Sequence, residues 1–90
     1  MVNNVLRFPS TLDAAEVVRM KPRLTRLLNQ HPKLLLLDLQ ATKRVELAGL
    51  GILMDRLRRL NGHSTVRFSN VSSSVHQTLA RAGVDGLLLS

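Results

Sequence analysis

Two carboxylates, Asp38 and Glu46, stand at either end of one polar stretch, and Gly49-Leu50-Gly51 follows closely behind the second. A carboxylate pair could share acid–base work if a cleft held it. Closely spaced glycines let backbone N–H groups approach a phosphate. Neither chemistry is completed here. The third glycine of a dinucleotide fingerprint is missing, as is the lysine of a P-loop. His31, His63 and His76 lack the i, i+4 pairing that would build a metal site. Ser72, Ser73 and Ser74 lie near His76, but serines ahead of an apolar periodic run are better explained as a helix cap than as a nucleophile. Asn70-Val71-Ser72 fits the glycosylation acceptor pattern, yet nothing else points to secretion. With no cysteine there is no disulfide framework, thiolate zinc site or cysteine nucleophile. We expect no catalysis, no metal and no cofactor.

The remaining chemistry is charge. The 90 residues hold 13 Lys and Arg against 6 Asp and Glu, a formal net charge of +7. That balance first suggests nucleic acid or an anionic surface. Arg19, Arg23 and Arg26 fall at i, i+4 and i+7 and would form one helical stripe; Arg56, Arg58 and Arg59 form a second group. Single-strand binders interleave such charge with aromatic platforms. Here Phe8 and Phe68 are the only aromatics, and each sits in a run that looks like core. The arginines are therefore expected to be the solvated side of amphipathic helices or contacts to an acidic partner or membrane surface, with nucleic acid the least favoured account.

Length allows one domain, residues 1–90, and the 44% apolar share excludes a disordered polyelectrolyte. The run Leu34 to Leu37 is far shorter than the roughly 20 residues a membrane span needs, so no membrane insertion is expected. Met1 to Ser10 lacks the basic-then-apolar order of a signal peptide, which fits a cytoplasmic protein.

The elements that must position these residues follow from periodicity. Val2 to Phe8 reads as a strand stopped by Pro9. Ser10, Thr11 and Asp13 offer N-caps, and Ala14, Val17, Val18, Leu24, Leu27 and Leu28 approximate an apolar helical face. Pro22 lies inside that face, so the helix is expected to be kinked or to begin late, and to end by His31-Pro32. Lys33 to Leu39 is the clearest strand, Gln40 to Glu46 a polar connection, and Leu47 to Asn61 a second helix closed by Gly62. Thr65 to Ser69 alternates as a strand. A third helix runs from Ser72 or Ser73 to Ala82 and ends at Gly83. Leu87 to Leu89 is a last short strand or a docking tail. The order β-α-β-α-β-α argues for an α/β layer with mostly parallel strands.

The run Leu34-Leu35-Leu36-Leu37-Asp38-Leu39, the polar loop, and then Val45-Glu46-Leu47-Ala48-Gly49-Leu50-Gly51-Ile52-Leu53 closely resembles the STAS domain family. That family includes anti-sigma factor antagonists, stressosome components and transporter-associated adaptors. Its pattern is an apolar strand ending in Asp-Leu, a short loop, and Asp-Ser-Ser-Gly-Leu-Gly leading into a helix. Ser10-Thr11-Leu12-Asp13 resembles the turn before its first helix, Asn70 to Val75 the stretch before its third long helix, and Ala82-Gly83-Val84 that helix's ending. The similarity extends from about Val5 to Leu88.

The resemblance implies a STAS-like α/β fold, a single layer of about four mixed strands flanked by three to four helices. It also implies a non-catalytic protein-interaction module. In antagonists of this family a kinase-like anti-sigma factor docks around the loop and phosphorylates a serine at the start of the second helix. Here Glu46 takes the aspartate position, Leu47 the first serine, and Ala48 the serine that is normally phosphorylated. Without a hydroxyl at either place, the switch cannot operate there. We therefore expect a constitutive adaptor whose partner contacts come from Asp38, Thr42, Glu46, Leu47, Ala48, Gly49, Gly51, Ile52, Arg56 and Arg59. The plainer alternatives are that Leu47 and Ala48 pack inward, that Asp38 and Glu46 cap loop and helix, and that Gly49 and Gly51 serve close packing. The partner is expected to be a kinase-like anti-sigma factor or, alternatively, the ATPase subunit of a phospholipid-transporting ABC transporter. A basic nucleic-acid-binding domain is the third possibility.

Overall fold

The computed structural model describes residues 3–60 and 64–88. Three short strands, β1 (Asn3–Arg7), β3 (Leu34–Asp38) and β5 (Thr65–Ser69), form one sheet in the order β1-β3-β5. Between them run α1 (Ala14–Asn29) and α2 (Leu47–Leu60), and α3 (Ser73–Arg81) follows β5. A second, two-stranded sheet pairs β2 (Thr11–Leu12) with β4 (Arg44–Val45). The chain ends in a 3-10 turn over Asp85–Leu87, after which Leu88 makes an isolated parallel bridge to Phe68.

The α/β class and the helices are as the sequence led us to expect, but the sheet differs in one respect. Among the described residues every pairing is parallel, where the resemblance implied mixed strands. Each strand of the main sheet is followed by a helix, and such crossovers return the chain in the same direction.

Side chains alternate across this sheet. Leu6, Leu35, Leu37, Val66 and Phe68 point to one side and are buried. They meet Val17, Met20, Leu24 and Leu28 of α1, Leu50, Leu53 and Leu57 of α2, and Val75 and Leu79 of α3 in one core. On the other side Val5, Leu36 and Arg67 lie in register; Val5 is exposed and the other two are half-buried. The core is therefore one-sided.

Helix ends are fixed by local chemistry. Asp13 is the N-cap of α1, its Oδ1 accepting from the Glu16 amide at 2.8 Å. Such a cap is worth about 1 kcal/mol. The helix begins at Ala14 and continues through Pro22, so of the two outcomes expected from that proline, a kink or a late start, the late start does not occur. Pro22 and Val18, the residue whose carbonyl loses its donor, both lie on the exposed face, where water can replace the missing bond. Ser72 caps α3, its hydroxyl accepting from Val75 at 3.3 Å. At the other end Gly83 adopts φ +76, and the amides of Gly83 and Val84 bond to the carbonyls of Ala80 and Leu79. This is the paired closure that a left-handed glycine permits. The cap expected at Gly62, with Val2, His63 and Leu89, lies outside the described residues.

Candidate functional site

The connection between β3 and α2 is a built structure. Gln40 to Glu46 was expected to be a polar link, yet it contains β4. The amides of Lys43 and Arg44 donate to the Ser10 carbonyl at 2.8 and 3.1 Å, and the Glu46 amide donates to the Leu12 carbonyl at 2.9 Å. Val45 and Leu12 are buried beneath this ladder. The loop ahead of α2 is thus stitched to the segment ahead of α1.

Two predicted contact residues turn out to be internal supports. Thr42 is 2% exposed, and its hydroxyl donates to the Pro9 carbonyl at 2.8 Å. Asp38 is 4% exposed and gathers three donors. These are Nδ2 of Asn70 at 3.0 Å, the Gln40 amide at 2.9 Å and Nε of Arg7 at 3.0 Å. The Asn70 bond above all, then those from Gln40 and Arg7, hold the Asp38 carboxyl below its ordinary value although burial opposes them. One carboxylate thereby ties together the carboxyl ends of β1, β3 and β5. Arg7 was not singled out from the sequence, and Asn70 was named only in the glycosylation pattern and in the stretch before the third helix, not as a partner of Asp38. Asn70 carried a usable signal, because asparagine after a strand tolerates the left-handed conformation it adopts here, φ +57.

The first turn of α2 forms the outward surface. Glu46 precedes it, its carbonyl accepting from Leu50 at 3.0 Å while its carboxylate pairs with Arg44 at 3.6 Å. Leu47 is 54% exposed, and Ala48 and Gly51 are exposed beside it. The inward packing considered for Leu47 and Ala48 is not what the fold does. Ile52 is half-buried against the core. Two turns beyond Gly51, Arg58 and Arg59 continue this face, with Arg59 bonded to Asp55 at 3.0 Å; Arg56 is half-buried on the flank. Arg58 thus belongs to the outward face more fully than Arg56, the arginine expected there.

The two glycines have different tasks. A Cβ on Gly49 would stand 2.5 to 2.8 Å from the backbone of Asp13, whereas one on Gly51 would meet nothing within 4 Å. Gly49 lets the starts of α1 and α2 touch; Gly51 leaves a gap on the surface.

The first turn of α2 carries no acidic side chain, and Glu46 stands immediately before it at the cap position. Among the described residues no three His, Cys, Asp or Glu side chains gather to hold a metal ion. No helix among them is long and apolar enough to cross a membrane.

The first turn of α2 is thus apolar and free of hydroxyls, on a stitched loop that projects from a parallel α/β layer. The STAS domain model matches residues 2–89, and the chain belongs to that family. Comparison with curated proteins returns no match. Among solved structures, the anti-sigma factor antagonist SpoIIAA in its unphosphorylated form is similar, with a TM-score of 0.76 and 16% identity over 97% of this chain and 78% of that one. A sulfate transporter family protein from Wolinella succinogenes is also similar, with a TM-score of 0.67 and 18% identity over 97% of this chain and 71% of that one. At these identities the likeness is one of fold.

Proposed function

We propose that this STAS domain is a constitutive protein-docking module, cytoplasmic and without catalytic activity of its own. Its partner seats on Leu47, Ala48, Gly51 and Ile52 in the first turns of α2, with Glu46, Arg56, Arg58 and Arg59 around them. Asp38, Thr42 and Gly49 act from beneath by fixing the loop and the helix start. The observation that carries this reading is the exposure of Leu47 and Ala48 on a rigidly held helix terminus. An exposed leucine there contributes most when a partner covers it, because burial of such a side chain is worth about 1.5–3 kcal/mol.

Phosphorylation of a serine on such a surface would add a charge of about −1.5 to −2 and repel or remodel a docked partner. Leu47 and Ala48 offer no acceptor for it, and the Thr42 hydroxyl is buried and committed to Pro9. Docking is accordingly independent of a kinase cycle at this site. The favoured partner is a kinase-like anti-sigma factor, a reading supported by the likeness to an anti-sigma factor antagonist. The likeness to a sulfate transporter family protein supports a second reading, docking on a transporter subunit such as the ATPase of an ABC system.

Site-specific photocrosslinking separates the two. A photoreactive side chain at Leu47 or Ala48 should trap the partner, and the same group at Arg81 on α3 should not. Recovery of an anti-sigma factor supports the first reading, and of a transporter ATPase the second. Equal yields from all three positions would remove the α2 surface from the account.

A further inference from the structure

A second feature lies on the opposite flank of the fold, at β1. Among the described residues β1 pairs only with β3, so it forms one edge of the main sheet. The Phe8 amide donates to the Asp38 carbonyl at 3.1 Å. Main-chain groups alternate sides along a strand, so those of Leu6 and Asn4 also turn toward β3, while those of Val5 and Arg7 turn outward. Beside this edge is a cleft of about 410 Å³ between the end of β1 and α1. Phe8, Pro9 and Met20 line it, with Glu16, Arg19 and Arg23 on the helix wall and Arg7 on the strand; the one carboxylate, Glu16, is paired with Arg19.

Two of the three arginines, Arg7 and Arg19, are held but not used up. Nε of Arg7 is bonded to the buried Asp38, and the side chain remains 76% exposed, with its terminal nitrogens outside that bond. Arg19 is anchored by Glu16 and is 69% exposed. Among the described residues Arg23 has no ion-pair partner. Guanidinium groups oriented in this way lose less freedom when they meet a carboxylate.

We propose that this cleft is a second docking site, and that its occupant is an extended acidic segment of a partner protein that adds to β1 as a further strand. Strand addition supplies main-chain bonds to the outward groups of Val5 and Arg7, and the pockets beside the edge select side chains. Arg19 and Arg23 are one helical turn apart, about 6 Å along the axis. Alternate residues of a strand are spaced about 6.8 Å apart, so acidic residues at every second position match this flank. A second copy of the chain does not fit, because each carries a net charge of +7 and would bring like charge to the same edge. The site is built from β1 and α1 and stands independently of the α2 surface.

The probe is a fluorescent peptide of four Glu-Thr repeats, titrated onto the full chain, with the same sequence N-methylated at every backbone amide as the equally charged control that cannot donate to a ladder. The unmodified peptide should bind at least tenfold more tightly than the methylated one. Arg23→Glu should weaken it at least tenfold, Arg81→Glu should leave it unchanged, and the Val5 and Arg7 amides should become protected from hydrogen exchange. Equal binding of the two peptides would overturn the proposal, as would indifference to Arg23→Glu in a variant whose circular dichroism matches the parent. Chemical-shift changes centred on Arg58 and Arg59 would overturn it too.

Discussion

The backbone of Asp13, the N-cap of α1, occupies the space in which a side chain on Gly49 of α2 would stand, 2.5 Å from the position of its Cβ. The two helix starts therefore meet with no side chain between them. Because the obstructing atoms are main chain, Gly49→Ala must displace a helix terminus and should destabilise the fold by about 1–3 kcal/mol. Gly51, two residues on and facing open space, should behave oppositely. Gly51→Ala should stabilise by about 0.5–1 kcal/mol, since alanine loses less conformational freedom in a helix. Urea unfolding of the pair checks both signs.

Asp38 makes stability depend on acid. Its folded carboxyl titrates below the ordinary value of 3.8, so its contribution is fully present above that pH. The contribution is lost as pH falls through the unfolded value and then the lower folded one. Asp38→Asn should cost about 1–3 kcal/mol at neutral pH, since bonds to a charged acceptor are lost, and should flatten the fall in stability below about pH 4. Urea midpoints for parent and variant from pH 3 to pH 7 measure this.

Thr42 offers a test of support against contact. Thr42→Val keeps the volume and removes the donor to Pro9, leaving a part-buried carbonyl without it. The cost should be about 1–2 kcal/mol of stability. Partner affinity should change less than twofold under conditions where the variant is folded.

The docking surface should respond to charge. Leu47→Glu with Ala48→Asp places two carboxylates where an apolar contact is expected. Acidic residues suit a helix start, so the fold should be preserved or gain a few tenths of a kcal/mol. Affinity for the α2 partner should fall at least thirtyfold, as titration calorimetry would show, with unchanged circular dichroism.

How far the sequence could be read depended on the range of the interactions. The main strands and helices were legible because their apolar periods are local, and Thr65 to Ser69 was read to the residue. The pairing of Thr11–Leu12 with Arg44–Val45 was not, since two-residue strands carry no period and form only when distant segments meet. Pro22 does not delay the start of α1, because a proline's cost depends on which face bears it, which is a tertiary fact. In the loop, Glu46, Leu47 and Ala48 were legible by resemblance, whereas the inward turn of Asp38 and Thr42 was not. Both are polar residues in a polar stretch, and what buries them is Asn70, Arg7 and the Phe8-Pro9 carbonyls, contributed from elsewhere in the chain.

The central claim is that docking at the start of α2 needs no phosphorylation and that no phosphate is added there to break it. It is tested most directly by titrating the purified chain with the kinase-like anti-sigma factor of the same organism, with and without magnesium ATP, and by recording the mass of the recovered chain. The account predicts equal affinity in both arms and no added phosphate. Loss of binding in the ATP arm, accompanied by a gain of about 80 Da on the chain, the mass of one phosphoryl group, would contradict it.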